Sequence, residues 1–195
     1  PTRRSPDLHE IPALVAGYSL AMQNLGDIDR QTIAGAISTG THGTGAGFGG
    51  IATQVVGAVL VTADGELLTV DEEHDPDLLP AVALGLGALG VLVEVTLQCV
   101  PAFVLHAVDA PGPLADVLDS LPERVADADH FEFYWFPHTE VGLTKTNTRL
   151  PKTAPRHPLP RMGRWVDEEL LSNGVYSVVC AAGTAVPAVV PPVSR

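Results

Sequence analysis

The sequence predicts an α+β fold, not a doubly wound parallel sheet, on three observations. A β-branched run, Gln54 to Thr62, is followed at once by Asp64-Gly65 and a second run, ELLTV, which together signal an antiparallel hairpin. Short helical patterns are mixed with such strands along the chain. Gly45, Gly47 and Gly50 do satisfy G-x-G-x-x-G, but a small-residue segment precedes them and the strand follows. That order is the reverse of a dinucleotide-binding turn, so the Rossmann reading fails.

Taken in order, Leu8, Ile11, Val15 and Tyr18, with Leu14 beside them, share a helical face and predict a first helix over 7–17 lying on a sheet. Pro12 weakens or tightens its first turn. Thr32 stands where an N-cap belongs, Ile33 to Ser38 follow, and Gly40 is placed as the glycine just past the end. A helix so short and so poor in side chains is not stable alone. Two readings stay open for it. Its free N–H groups point at a diphosphate, or its small face makes a close contact in an ordinary core.

Asp64-Gly65 predicts a type I′ turn. Asp75 or Pro76 opens a helix through Leu84, with Gly85 and Gly87 closing it, and Val91 to Val100 predicts another buried strand. A domain boundary is expected near Asp109 to Pro113, followed by an amphipathic helix carrying Leu114, Val117, Leu118, Leu121 and Val125. Phe131 to Phe136 reads as a strand with Phe131, Phe133 and Trp135 on a core face and Glu132, Tyr134 and Phe136 on the other. A second strand over 142–147 pairs with it. Arg149 to Arg164 holds five basic residues, four prolines and no acid, and predicts an extended, solvated loop.

Composition narrows the class. With 46% hydrophobic residues the 195-residue chain can bury a core and is not disordered. A net charge of −12 argues against nucleic acid or an anionic membrane as partner. Cys99 and Cys180 sit in apolar strings without CxxC, so both are expected as buried thiols of a reducing compartment. No signal peptide is visible at PTRRSPDLHE. The uncharged stretch Val175 to Val193 is long enough to span a bilayer, but Gly183, Pro187, Pro191 and Pro192 argue for a packed segment instead. The expected location is cytoplasmic, with peripheral membrane association as the lesser alternative.

The chemistry concentrates between Asn24 and Gly50, which holds eight of the 19 glycines. From Gln31 to Ala63 there is no Asp, Glu, Lys or Arg. An uncharged Gly- and Thr-rich run implies backbone packed closely against something, and glycine N–H groups can cradle an anion without cationic side chains. A P-loop is excluded because no Lys occurs before Lys145. The seven histidines show no zinc spacing, and no G-x-S-x-G or Cys–His signature supports a covalent hydrolase.

NLGDIDRQTIAGAISTGTHGTG, ATQVVGAVLVTADGELL, LGALGVLVEVTLQCVPAF and FEFYWFPHTE, in that order, resemble the FAD-linked oxidoreductases of the vanillyl-alcohol oxidase superfamily. The L-gulono-1,4-lactone and D-arabinono-1,4-lactone oxidases are the nearest branch. The resemblance implies the C-terminal half of a PCMH-type FAD-binding domain over 1–109 and the start of an α+β cap, or substrate, domain over 110–195. It implies FAD as cofactor, a sugar lactone or polyol as substrate, and oxygen or another electron acceptor as partner. Mapped by motif, FAD contacts would fall at Asn24, Gly26, Asp27, Thr32, Gly35 and Ser38. Gly40, Thr41, His42 and Gly43 continue them, and Leu92 adds backbone contact. Gly26 matches a position near the isoalloxazine where Gly or Ala is held to decide oxygen access. The family's upstream G-x-G-H-S-like loop and its later catalytic Glu/Arg pair are not matched here, so the chain resembles an internal fragment and its catalytic residues are unassigned. The alternatives are a non-catalytic remnant and a flavoprotein of another branch, an alditol, siderophore or peptide oxidase, sharing only the FAD domain.

Overall fold

A computed structural model describes residues 5–158, 160, 162, 174 and 176–190. The first helix begins as a 3-10 turn, Leu8–Glu10, and continues as α1, Ile11–Ala16. Leu8 and Ile11 are buried and Val15 packs partly against the same core, but Leu14 and Tyr18 are exposed, so the expected face packs only as far as Val15. Strand β1, Leu20–Met22, follows.

Helix α2 spans Ile33–Ser38 as its caps specify: Thr32 Oγ1 accepts from Gly35 N at 3.2 Å, and Gly40 takes φ +72° just past the end. Its first-turn N–H groups, expected to be free, are all taken. Ile33 N donates to Pro6 O at 3.0 Å, Ala34 N to Ser5 Oγ at 3.3 Å, and Ala36 N to Thr32 O at 2.9 Å. The preceding segment therefore folds back over the helix start and supplies the acceptors that the diphosphate reading left to a ligand. Ile33, Ala36 and Ile37 bury the other face in a core shared with Leu8, Ile11, Met22, Ile51 and Val55.

Strands β2 (Val55–Val61), β3 (Leu67–Asp71) and β4 (Val91–Leu97) form an antiparallel sheet in the order β3-β2-β4. The β2–β3 turn is not type I′. Asp64 keeps a negative φ while Gly65 takes +87°, and Gly65 N donates to Thr62 O at 3.0 Å. This is a type I turn closed by a left-handed glycine, and the Asp64 carboxylate secures it by accepting from the Thr62 hydroxyl. Between the sheet strands come a 3-10 turn, Pro76–Leu78, and helix α3, Leu79–Ala83.

The expected strand over 91–100 splits in two. After β4 the chain passes Gln98 and enters β5, Cys99–Pro101, which leaves the sheet and pairs with β1. The break is fixed by Gln98 N donating to Gln54 O at 2.7 Å. Nor is β4 buried on both faces: Val91 is 69% and Val93 56% exposed. Cys99 is half-buried and Cys180 exposed, against the expectation of buried thiols, because β5 is an edge strand and the helix holding Cys180 presents it to solvent.

A third sheet, in the order β6-β8-β7, combines β6 (Phe103–Pro113), β7 (His130–Trp135) and β8 (Val141–Pro151). Residues 109–113 thus continue β6, and β8 runs four residues past the expected end at 147. Arg149 lies in this strand and not in a solvated loop. The helix expected over 114–125 breaks at Ser120 into α4 (Leu114–Asp119) and α5 (Leu121–Asp127), with Pro122 opening the second. Of its apolar positions only Val117 is fully buried, and Trp135 on β7 is exposed instead of core. Helix α6, Tyr176–Ala185, and a 3-10 turn, Pro187–Val189, close the described part. No described helix is long and apolar enough to cross a membrane. The basic run beyond 158 and the end of the uncharged stretch fall largely outside the described residues.

Candidate functional site

Two arms of the glycine-rich stretch build one wall of a groove. The arm from Gln23 to Gly26 is held by Asn24, which is 4% exposed. Its Nδ2 donates to Thr44 O at 3.2 Å and Gly49 O at 3.4 Å, its Oδ1 accepts from Leu25 N at 3.0 Å, and its carbonyl accepts from Gln54 Nε2 at 2.8 Å. The second arm, Gly40 to Thr44, lies directly on the first. A Cβ on Gly43 would sit 2.1 Å from Leu25 O, and one on Gly26 would sit 2.9 Å from His42 O. The glycines are required because backbone meets backbone. The Gly26 result also revises the oxygen-gate expectation, since a methyl there displaces the His42 carbonyl as well as narrowing a path.

The opposite wall is the β7–β8 pair. Its register sets Glu132 beside Lys145 and His130 beside Asn147. Lys145 Nζ reaches across to Asp27 Oδ2 at 3.0 Å and stays 3.3 Å from Glu132 Oε1, while Tyr134 Oη donates to Asp27 Oδ2 at 3.3 Å. Burial alone would lower the Lys145 ammonium, but the hydrogen bond and charge of Asp27, joined by Glu132, outweigh it and hold it above its usual value. Tyr134 is pushed up by burial first, then by the Glu132 and Asp27 carboxylates.

At the other end Arg149 ties the walls together. Its guanidinium lies 3.9 Å from the Phe48 ring centre and 4.4 Å from that of Phe103, donates to Gln23 O, and donates from Nε to His130 Nε2 at 3.3 Å. Because a guanidinium only donates, His130 Nε2 is the acceptor, and Nδ1–H donates to Thr44 O at 2.9 Å. Burial pulls Arg149 below its usual value, opposed by the Asp129 charge, and it stays a cation.

The groove measures about 1190 Å³. Of the positions matched by motif, Asn24, Gly26 and Asp27 line it on one arm, and Gly40, Thr41, His42 and Gly43 on the other. Thr32, Gly35, Ser38 and Leu92 do not. Thr32 caps α2, Gly35 approaches that cap, Ser38 O accepts from Leu86 N at 3.3 Å, and Leu92 packs between the two cores. Among the described residues the N–H groups of Gly26, His42 and Gly43 have no acceptor in the chain, so this wall offers donors to a ligand rich in ring nitrogens and carbonyls. The residues present fit a flavin. Sequence reasoning missed Lys145, Asn147 and Arg149, although the alternation in TKTNTR places all three on one strand face.

Residues 95–195 match the sequence model of the D-arabinono-1,4-lactone oxidase family. The chain belongs to that family. Residues 7–71 match an FAD-binding domain. L-gulono-1,4-lactone dehydrogenase from Mycobacterium tuberculosis is 43% identical over 181 residues, covering 93% of this chain and 41% of that protein. L-gulonolactone oxidase from Mus musculus is 44% identical over 123 residues, 63% of this chain and 28% of its own. D-arabinono-1,4-lactone oxidase from Yarrowia lipolytica is 35% identical over 151 residues, 76% of this chain and 29% of its own. The family member described here therefore spans less than half the length of these relatives. Among solved structures, cholesterol oxidase from B. sterolicum superposes with a TM-score of 0.75 at 21% identity, over 96% of this chain and 39% of that one, which establishes the shared fold.

One prediction arises from the ion pair across the groove. Folded Lys145 holds its proton more tightly than the unfolded chain does. Its stabilisation is therefore complete below about pH 10.4 and is lost as pH rises through the folded value. Urea midpoints from pH 9 to 11.5 should fall more steeply for the parent than for Lys145→Met. Parallel profiles would remove the pair from the stability of the fold.

Proposed function

We propose that this chain contributes the flavin-facing groove of an FAD-dependent oxidoreductase acting on the CH–OH group of a sugar 1,4-lactone of the L-gulono or D-arabinono type. The observation that carries the reading is the groove itself, with a donor-rich glycine wall facing a polar strand pair. Ligand sites commonly occupy about 300–1000 Å³, so 1190 Å³ leaves space for a planar ring system and a small substrate together. FAD, when bound, takes up the hydride; the protein binds, orients and excludes water. Asn24, Gly26, Asp27, Gly40, Thr41, His42 and Gly43 are the proposed FAD contacts, with Thr32, Gly35, Ser38 and Leu92 supporting them from behind. Residues 1–109 are assigned to the cofactor side and 110–195 to the substrate side. The electron acceptor is oxygen or another electron acceptor, the setting cytoplasmic, and the pathway of the ascorbate type.

The purified chain is expected to carry no covalent flavin and to show no lactone oxidation by itself, and to aggregate through exposed apolar strand faces such as Val91 and Val93. The checks are flavin absorbance in the pellet after acid precipitation and turnover of L-gulono-1,4-lactone with an artificial acceptor. A yellow pellet or measurable turnover would show that the chain suffices for more of the chemistry.

A further inference from the structure

One polar side chain in the groove is unused by the contacts described above. Asn147 stands on β8 between the Glu132–Lys145 pair and the Arg149–His130 pair and lines the groove, and its side-chain amide has no hydrogen-bond partner among the described residues. Its neighbour two positions back, Lys145, is outside the groove lining and holds the carboxylates of Asp27 at 3.0 Å and Glu132 at 3.3 Å. Residues two apart on one strand face are separated by about 7 Å, a distance that a five- or six-carbon polyol covers. The three groups differ in kind. Glu132 only accepts, Lys145 only donates, and the Asn147 amide does both.

We infer that Glu132 and Asn147, which line the groove, form with Lys145 beside them a row that reads the hydroxyl groups of the substrate, with Asn147 as the specificity-determining member. This rests on the lactone reading above. A hydroxyl is donor and acceptor at once, so a chain of neighbouring hydroxyls is the ligand class that satisfies such a row throughout. A simple apolar lactone would leave the Asn147 amide unpaired. The Lys145 contact to Asp27 ties the row to the facing wall, so Lys145 and Glu132 are placed before substrate arrives.

The test uses the purified chain with added FAD, held at a concentration and in a mild detergent where light scattering shows a monomer. It is titrated with L-gulono-1,4-lactone and, separately, with γ-butyrolactone, which has no hydroxyl group. Amide spectra report binding, and the Asn147 side-chain signals are identified by their loss in Asn147→Leu. L-gulono-1,4-lactone should shift those signals, γ-butyrolactone should not, and Asn147→Leu should bind the sugar lactone about tenfold more weakly, the effect of one lost hydrogen bond. Asn147→Ser serves if the leucine variant does not fold. Sugar lactone binding that shifts other groove signals but not those of Asn147 overturns the row and leaves the lactone reading standing. A wild-type chain whose groove signals ignore the sugar lactone altogether overturns the lactone reading, and the row with it.

Discussion

Arg149→Ala is expected to lower the melting temperature by about 6–12 °C, the effect of roughly 3 kcal/mol in a domain of this size. The substitution removes a cation held between two aromatic rings, Phe48 and Phe103. Each such contact contributes about 0.5–2 kcal/mol depending on solvation. It also leaves Gln23 O and His130 Nε2 without their donor, and an unpaired, partly buried acceptor costs about 1–3 kcal/mol. These terms overlap and do not sum, so the middle of the range is the figure to expect. Arg149→Met keeps the stem between the rings and should recover part of the loss, separating apolar packing from hydrogen bonding. An alanine variant that melts within about 2 °C of the parent would show that the guanidinium does not join the walls.

Gly43→Ala should be comparably severe for a different reason. The added methyl meets Leu25 O at 2.1 Å, the Asn24 Oδ1 at 2.6 Å and Leu25 C at 2.8 Å. Two of these are backbone atoms of an arm already fixed by Asn24 and Gln54, so neither side yields cheaply. The cost belongs at the upper end for overpacking, about 3 kcal/mol or more, and the groove wall should lose its shape with it. Gly47→Ala is the control, because its methyl would meet nothing within 4 Å. It should be neutral or stabilise by about 0.4–1 kcal/mol through the unfolded chain. Equal urea midpoints for the two variants would contradict the close approach of the arms.

How much of this was legible follows from the range of the interactions involved. Helix α2 could be read to the residue, because Thr32 and Gly40 act within one or two turns of it. The fate of its first-turn N–H groups could not, since Ser5 and Pro6 reach them from 27 or more positions earlier and carry no motif. Alternation on β7 was legible, and it does put Glu132 and Tyr134 on the groove side. The split of β4 from β5 was not, because period two continues across Gln98 and only Gln54, 44 residues away in sequence, marks the break. Arg149 was misplaced for a related reason. A run of basic residues reads as solvated unless long-range aromatic partners are known, and Phe48 and Phe103 lie far from it in the chain. The glycine stretch was correctly singled out. What its backbone packs against proved to be its own second arm on one side and the groove on the other.

The ladder between β6 and β8 runs unbroken for eleven residue pairs, from Phe103–Pro151 to Pro113–Val141. Ten steps of about 3.4 Å make a ribbon roughly 34 Å long, anchored beside the groove where Arg149 grips Phe103 and reaching away at Val141. It is held to the facing wall at two points, by Arg149 at the end beside Phe103 and by Lys145 and Asp27 part-way along. Two fixed points resist a tilt that one alone would allow, so the Asn147 position between them is braced against rotation of the ribbon.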